Sequence, residues 1–439
     1  MRRSVWWLWP VAPVALIVVT TLLVAGATPE STFERAWRTD KALDDWTVFL
    51  MFAGAVALMV GAAMAALTER DPSSRPRQSW PGLSPTASIL LRRAYPVLIG
   101  ITLFGYAVWL GNGIRLGLST ADVVDVLETQ DNFKLPIKQK LETLPGITTL
   151  AQVAMPAVIV GVIVDLDRPS RAVRWTYRAV ILLAATRAFL LAERLALAEL
   201  LVPVLVLRAM AAHQRSRVRG RFWLALSPLL ALVVLVAGFA GSEASRSWTF
   251  YSSNTDQSLP AFASERLLGY YVTAHNNGAI LLRHGSGTSD GLPVYTTAFV
   301  WEVPPGSQLG GDATDDATGE RWDLLRRFGN PEFNNTSGLA SPFADYGGIG
   351  GFSFLLVVGF VIGLVHLSFL HGRPTGVFLY PILYTGLLEV PRYLYWSQGR
   401  STPAIVGAVG LAFFVAARAR RAMRLRAIEQ ALNPAIAAT

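Results

Sequence analysis

Hydrophobic and polar positions along this chain alternate on a scale of whole membrane spans, not single turns or strands. Apolar runs near the roughly 20 residues that cross a bilayer recur throughout and are separated by arginine-rich or polar stretches. The pattern predicts about ten spans: Val5–Ala27, Trp46–Leu67, Ala94–Gly111, Ile147–Val164, Thr176–Ala192, Leu195–Leu207, Phe222–Ala240, Gly347–Phe369, Gly376–Val390 and Ala404–Ala417. The expected fold class is therefore an all-α polytopic membrane protein. Residues 1–240 form an N-terminal membrane region, 241–345 an extracytoplasmic segment between the seventh and eighth spans, 346–418 a C-terminal membrane region and 419–439 a basic tail. The first span begins with a signal-peptide-like MRR, but its apolar stretch exceeds the roughly 7–15 residues of a signal core and reads as a retained span.

Arginine placement orients these spans. Arg2 and Arg3 precede the first, and alternate loops carry Arg70, Arg75, Arg77, Arg92 and Arg93, then Arg168, Arg171 and Arg174, then Arg208, Arg215, Arg217, Arg219 and Arg221. Arg418, Arg420, Arg421, Arg424 and Arg426 fill the tail. The positive-inside rule places all of them in the cytoplasm, with both termini. The formal charge of +9 thus reads as topology and gives no reason to expect a nucleic-acid partner. The absence of cysteine excludes disulfides and thiolate metal sites. No P-loop, dinucleotide-binding glycine pattern, nucleophile elbow or HExxH is present, and no cofactor is expected.

Charges inside the spans carry the functional signal, because a central arginine costs about 2.5–3.5 kcal/mol to insert. Arg187 and Arg194 are seven residues apart, the spacing of one helix face. They suit phosphate oxygens; the alternative is ion pairing with Glu193 or Glu199. A second group, Glu389, Arg392 and Arg400, lies at the outer end of the Gly376–Val390 span, where Pro391 should disturb the helix near Glu389; its alternative is an aromatic girdle with a snorkelling arginine. A third stretch mixes Glu265, Arg266, Tyr270, Tyr271, His275, Asn276 and Asn277, with aromatics and amides suited to sugars; its alternative is a surface hairpin or re-entrant turn. The fourth, Phe333–Phe352, leads through Asp345 into a glycine-rich span whose Gly359 and Gly363 suit close helix approach. Two weaker acid motifs are Asp44-Asp45, read chiefly as loop charge, and Asp165/Asp167, expected in the cytosol. The stretch 311–320 reads as a solvated acidic loop. Residues 119–143 read as an interfacial helix and basic turn.

In this order the stretches Thr186–Pro203, Glu265–Gly278, Phe333–Gly351 and Gly386–Arg400 resemble the Wzy-type oligosaccharide repeat-unit polymerases, relatives of the O-antigen polymerases. The likeness covers the last two thirds of the chain. Its most specific piece is the asparagine-rich segment running through Asp345-Tyr346-Gly347 into a glycine-rich span. The resemblance implies polymerisation of undecaprenyl-diphosphate-linked units at the outer face of the membrane, without nucleotide sugar or metal. It also implies possible flippase and chain-length-regulator partners.

On this reading Arg187, Arg194, Arg266, Arg392 and Arg400 would hold diphosphate, and Tyr270, Tyr271, Asn276 and Asn277 would hold glycan. Glu389, with His275 as the alternative, would serve as base. O-antigen ligases would use the same parts. The rival classes are a lipid-linked glycan flippase or transporter, and a metal-dependent glycosyltransferase using Asp44 and Asp45.

Overall fold

The computed structural model describes residues 5–69, 80, 83–122, 124, 139–141, 148–191, 194–215, 218–243, 248, 252, 257–285, 292–301, 306–309 and 313–432, apart from some side chains within those helices. Every regular element among them is helical. The principal helices are α1 (Val11–Ala27), α2 (Glu30–Trp37), α3 (Asp45–Thr68), α4 (Pro85–Arg115) and α5 (Leu150–Asp167). They continue with α6 (Arg171–Leu191), α7 (Arg194–Arg215), α8 (Val218–Glu243), α9 (Leu259–His284) and α10 (Ala313–Phe328). The last three are α11 (Ala340–Leu370), α12 (Pro374–Glu389) and α13 (Thr402–Leu432).

Among the described residues, seven helices are long and apolar enough to cross a bilayer, or up to eight if the bent α1–α2 pair counts as one span. The chain is thus an all-α polytopic membrane protein. The seven are α3, α4, α5, α7, α8, α11 and the first part of α13. α1 and α2 meet at 101°. α6 does not reach the same apolar standard because it carries Arg171, Arg174, Arg178 and Arg187, and α12 is only 16 residues long.

The core is built around α3 and α11, which make the most extensive helix pair. A Cβ on Gly359 would stand 2.1 Å from the Leu58 carbonyl oxygen, so only glycine permits this approach. At Gly347 the backbone takes φ 68°, a left-handed turn that bends α11 just after Asp345.

Two segments differ from their sequence reading. The third motif is not a surface hairpin: it lies in α9, a continuous helix packed against α1, α8, α10 and α11. Its polar residues looked like surface because their partners lie far away in sequence. The acidic stretch expected as a solvated loop is helical from Ala313, forming most of the first half of α10 with Asp315 and Asp316 in its first turn, where acids favour the helix dipole. Most of 119–143 lies outside the described residues.

Side-chain contacts sort the helix ends into two groups. At one end, His371 meets Glu69 at 3.1 Å and the Trp80 indole donates to the Phe369 carbonyl. Ser88 there donates to Asp167, Arg92 to the Arg168 carbonyl, and Arg174 and Arg208 both to Asp165. The opposite end gathers the start of α3, the bend of α11, the C-terminus of α12 and the start of α13.

Candidate functional site

Pro391 stops α12 at Glu389, and the following chain turns back on itself. The amides of Arg392 and Tyr393 both donate to the Glu389 carbonyl. This tight turn sets Arg392 Nη1 2.9 Å from Glu389 Oε2, with side chains 25% and 12% exposed. Glu389 Oε1 accepts no hydrogen bond from any described residue. The turn is braced by 335–339: the Gly338 amide donates to the Val390 carbonyl, and a Cβ at Gly338 would collide with the backbone of Tyr393 and Leu394. The asparagine-rich motif and the Glu389 motif, distant in sequence, are thus one backbone contact.

A second acid–arginine pair stands beside the first. Glu199 of α7 receives Arg400 through two bonds, Nε to Oε1 at 3.0 Å and Nη2 to Oε2 at 2.9 Å. Tyr395 adds a third, from its hydroxyl to Oε1 at 2.9 Å. This fork-to-fork geometry is the strong form of a charge-assisted hydrogen bond. Glu389 lies within electrostatic reach of both Glu199 and Arg400. Tyr271 is near Glu389 and Arg392, and the Arg392 guanidinium sits 6.0 Å from the Tyr270 ring centre and 5.7 Å from that of Tyr393. Three buried donors here, Arg392 Nε, the Tyr393 hydroxyl and Trp396 Nε1, have no partner among the described residues. Buried donors are normally satisfied, so this group can accept further oxygen acceptors.

The remaining expected site residues divide. Arg187 rests over the Trp109 ring at 5.6 Å, and Tyr106 lies within electrostatic reach of both Arg187 and Glu199, which puts Arg187 at the edge of the cluster. Arg187 lies in α6 and Arg194 in α7, and the hydrogen bond from Arg208 to the Tyr177 hydroxyl folds α7 back along α6, so one continuous helix does not carry both arginines on one face. The Arg194 side chain and Glu193 lie outside the described residues. Glu199, weighed as their partner, holds Arg400 instead.

Arg266 belongs to a separate buried group. It pairs with Glu243 at 3.0 Å and Glu332 at 2.5 Å, and both Phe262 and Phe333 lie within cation–π distance of its guanidinium. With its side chain 7% exposed and two carboxylates on it, Arg266 is a structural ion pair and not an open phosphate ligand. Tyr270 links the two groups, meeting Phe333 edge-on at 5.3 Å.

Three residues expected in the site are part of the core. Asn276 accepts from the Ala42 and Leu43 amides and donates to the Asp40 carbonyl. Asn277 donates to the Phe333 and Asn335 carbonyls. They are completely or almost completely buried, so these amides pin α9 to its neighbours and do not face a sugar. His275, also fully buried, has Nε2 3.1 Å from the Thr21 hydroxyl and Nδ1 3.1 Å from that of Ser337. With both ring nitrogens engaged, it is a core histidine rather than an accessible base.

The other acids have definite tasks. Asp44 caps α3 in a reciprocal box with Thr47, and the Thr47 amide holds its carboxyl below the usual range, against a weaker upward push from burial. Asp345 accepts from the Tyr295 and Thr296 amides and the Thr296 hydroxyl, fastening 293–297 to the bend of α11.

What sequence reasoning missed is the Glu199–Arg400–Tyr395 unit and the orphaned donors of Tyr393 and Trp396. The acid in α7 and the Tyr-Trp run after Pro391 were visible signals, but their pairing is a tertiary fact. No protein-family model, curated protein or solved structure matches the chain.

Proposed function

We propose that this chain is a membrane glycosyltransferase that polymerises oligosaccharide repeat units carried on polyprenyl diphosphate. It would act at the outer face of a bacterial plasma membrane. The observation that carries the reading is the meeting of Glu389–Arg392 and Glu199–Arg400 with Tyr270, Tyr271, Tyr393 and Trp396. The cluster lies at the bundle end opposite the arginine-lined one.

In this reading the cytoplasm lies at the Asp165–Arg208 end, both termini are inside, and about ten helical passes cross the bilayer. Arg392 and Arg400, with Arg187 at the edge, attract the donor diphosphate. The tyrosines and Trp396 offer ring faces and hydrogen bonds to sugar. The acceptor hydroxyl oxygen attacks the anomeric carbon of the donor chain, and the bond from that carbon to the diphosphate oxygen breaks. Its electron pair leaves with the lipid diphosphate, while the hydroxyl proton passes to the open Oε1 of Glu389. A flippase would deliver the lipid-linked units, and a chain-length regulator would act on the product. The location at one end, rather than the mid-membrane site common in transporters, favours this reading over a transporter.

The test is the lipid-linked glycan profile of a strain lacking the chain. The reading predicts accumulation of single lipid-linked units and loss of polymer; an unchanged polymer ladder refutes it. Reporter fusions at Arg219 and Asp315 should report opposite sides of the membrane, and the same side for both refutes the orientation.

A further inference from the structure

At the arginine-lined end, α5 and α7 finish side by side. Between them lies an open pocket of about 390 Å³ lined by Leu166, Arg208, Ala211, Ala212 and Arg215. Its lining is more polar than apolar, with two arginines set beside Leu166, Ala211 and Ala212.

Among the described residues the local carboxylates engage Arg208 but not Arg215. Asp165 is 3% exposed and engages both Arg174 and Arg208, which also donates to the Tyr177 hydroxyl. Asp167 accepts from Ser88 and lies 3.8 Å from Arg92. Arg215 donates to the Leu166 carbonyl and has no carboxylate partner among the described residues. A guanidinium has five donors in a planar fork, so Arg215 retains donors for another acceptor. Both helices beside the cavity are candidate membrane spans ending here, at Asp167 and Arg215. That places the cavity at headgroup level. The nearby Trp175 is 67% exposed and lies against Arg178 at 5.6 Å, as expected of an interfacial anchor.

The geometry points to a binding site for the phosphate of an anionic phospholipid, held by Arg215 and Arg208, with the glycerol and first acyl carbons along Leu166, Ala211 and Ala212. Basic pockets between spans at the cytoplasmic surface are suited to such headgroups. This site is separate from the acid–arginine cluster and does not depend on the function assigned to it.

The test uses the purified full-length protein in detergent, with added phosphatidylglycerol, phosphatidylcholine or inorganic phosphate. Native mass spectrometry counts bound lipid, and thermal unfolding reads stabilisation. Phosphatidylglycerol should bind and stabilise more than phosphatidylcholine. Arg215→Gln should weaken that preference about fivefold, the effect of one arginine near the surface. Ala212→Trp, which fills the cavity without altering charge, should reduce phosphatidylglycerol binding as well. Unchanged preference in Arg215→Gln overturns the site whether or not Ala212→Trp folds. Equal stabilisation by millimolar inorganic phosphate, lost in Arg215→Gln, overturns the assignment to lipid.

Discussion

The Glu199–Arg400 pair should be strongly coupled, and a double-mutant cycle measures it. Arg400→Gln removes two charge-assisted bonds at 3.0 and 2.9 Å and leaves Glu199 with the Tyr395 hydroxyl. Glu199→Gln removes the charge that Arg400 faces. Exposed pairs are worth about 0.2–1 kcal/mol, and breaking a fully buried pair costs about 3–5 kcal/mol. With side chains 13% and 32% exposed, this pair stands between those limits, so a coupling energy of about 1–3 kcal/mol is expected. Glu199→Gln, Arg400→Gln and the double variant should be unfolded under identical detergent conditions, and the coupling taken as the departure from additivity. The double variant should lose less stability than the sum of the two single losses. A coupling below about 0.5 kcal/mol, the ordinary limit of additivity between independent sites, would refute the pairing and with it the placement of Arg400 in the cluster.

Two further outcomes follow from the core around the site. Asn276→Ala leaves the Ala42 and Leu43 amides without their acceptor. At about 1–3 kcal/mol for each buried orphan, it should lower thermal stability markedly, whereas a glycan-contact role would leave stability intact. Asp44→Ala should lose about 1 kcal/mol of capping at neutral pH. Because the folded-state pKa of Asp44 is depressed, that stabilisation is present above the ordinary carboxylate value near 3.9 and is lost as pH falls through the folded value. Stability curves of wild type and variant should therefore converge in acid, and a constant gap would refute the cap.

The all-helical membrane fold was legible because hydropathy is local: each long apolar helix declares itself in its own residues. Three of the arginine-bearing helix ends meet through contacts of Arg92, Arg174 and Arg208 with residues 165–168. α9 was illegible for the opposite reason. His275, Asn276 and Asn277 look like surface in sequence, but Thr21, Ser337, residues 40–43 and the 333–335 stretch satisfy them. The Glu389–Arg392 pair was readable from its spacing of three residues within one turn. Glu199 with Arg400 was not, because the residues are separated by 201 positions.

The central claim, that the Glu389 cluster performs glycosyl transfer, is tested most directly by purified Glu389→Gln assayed with polyprenyl-diphosphate-linked repeat units. Its unfolding curve should first show that the protein is folded. Loss of a general base predicts polymer formation lower by about 10²–10⁴-fold with binding of the lipid-linked donor largely retained. Near-normal polymer formation by folded Glu389→Gln would contradict the account.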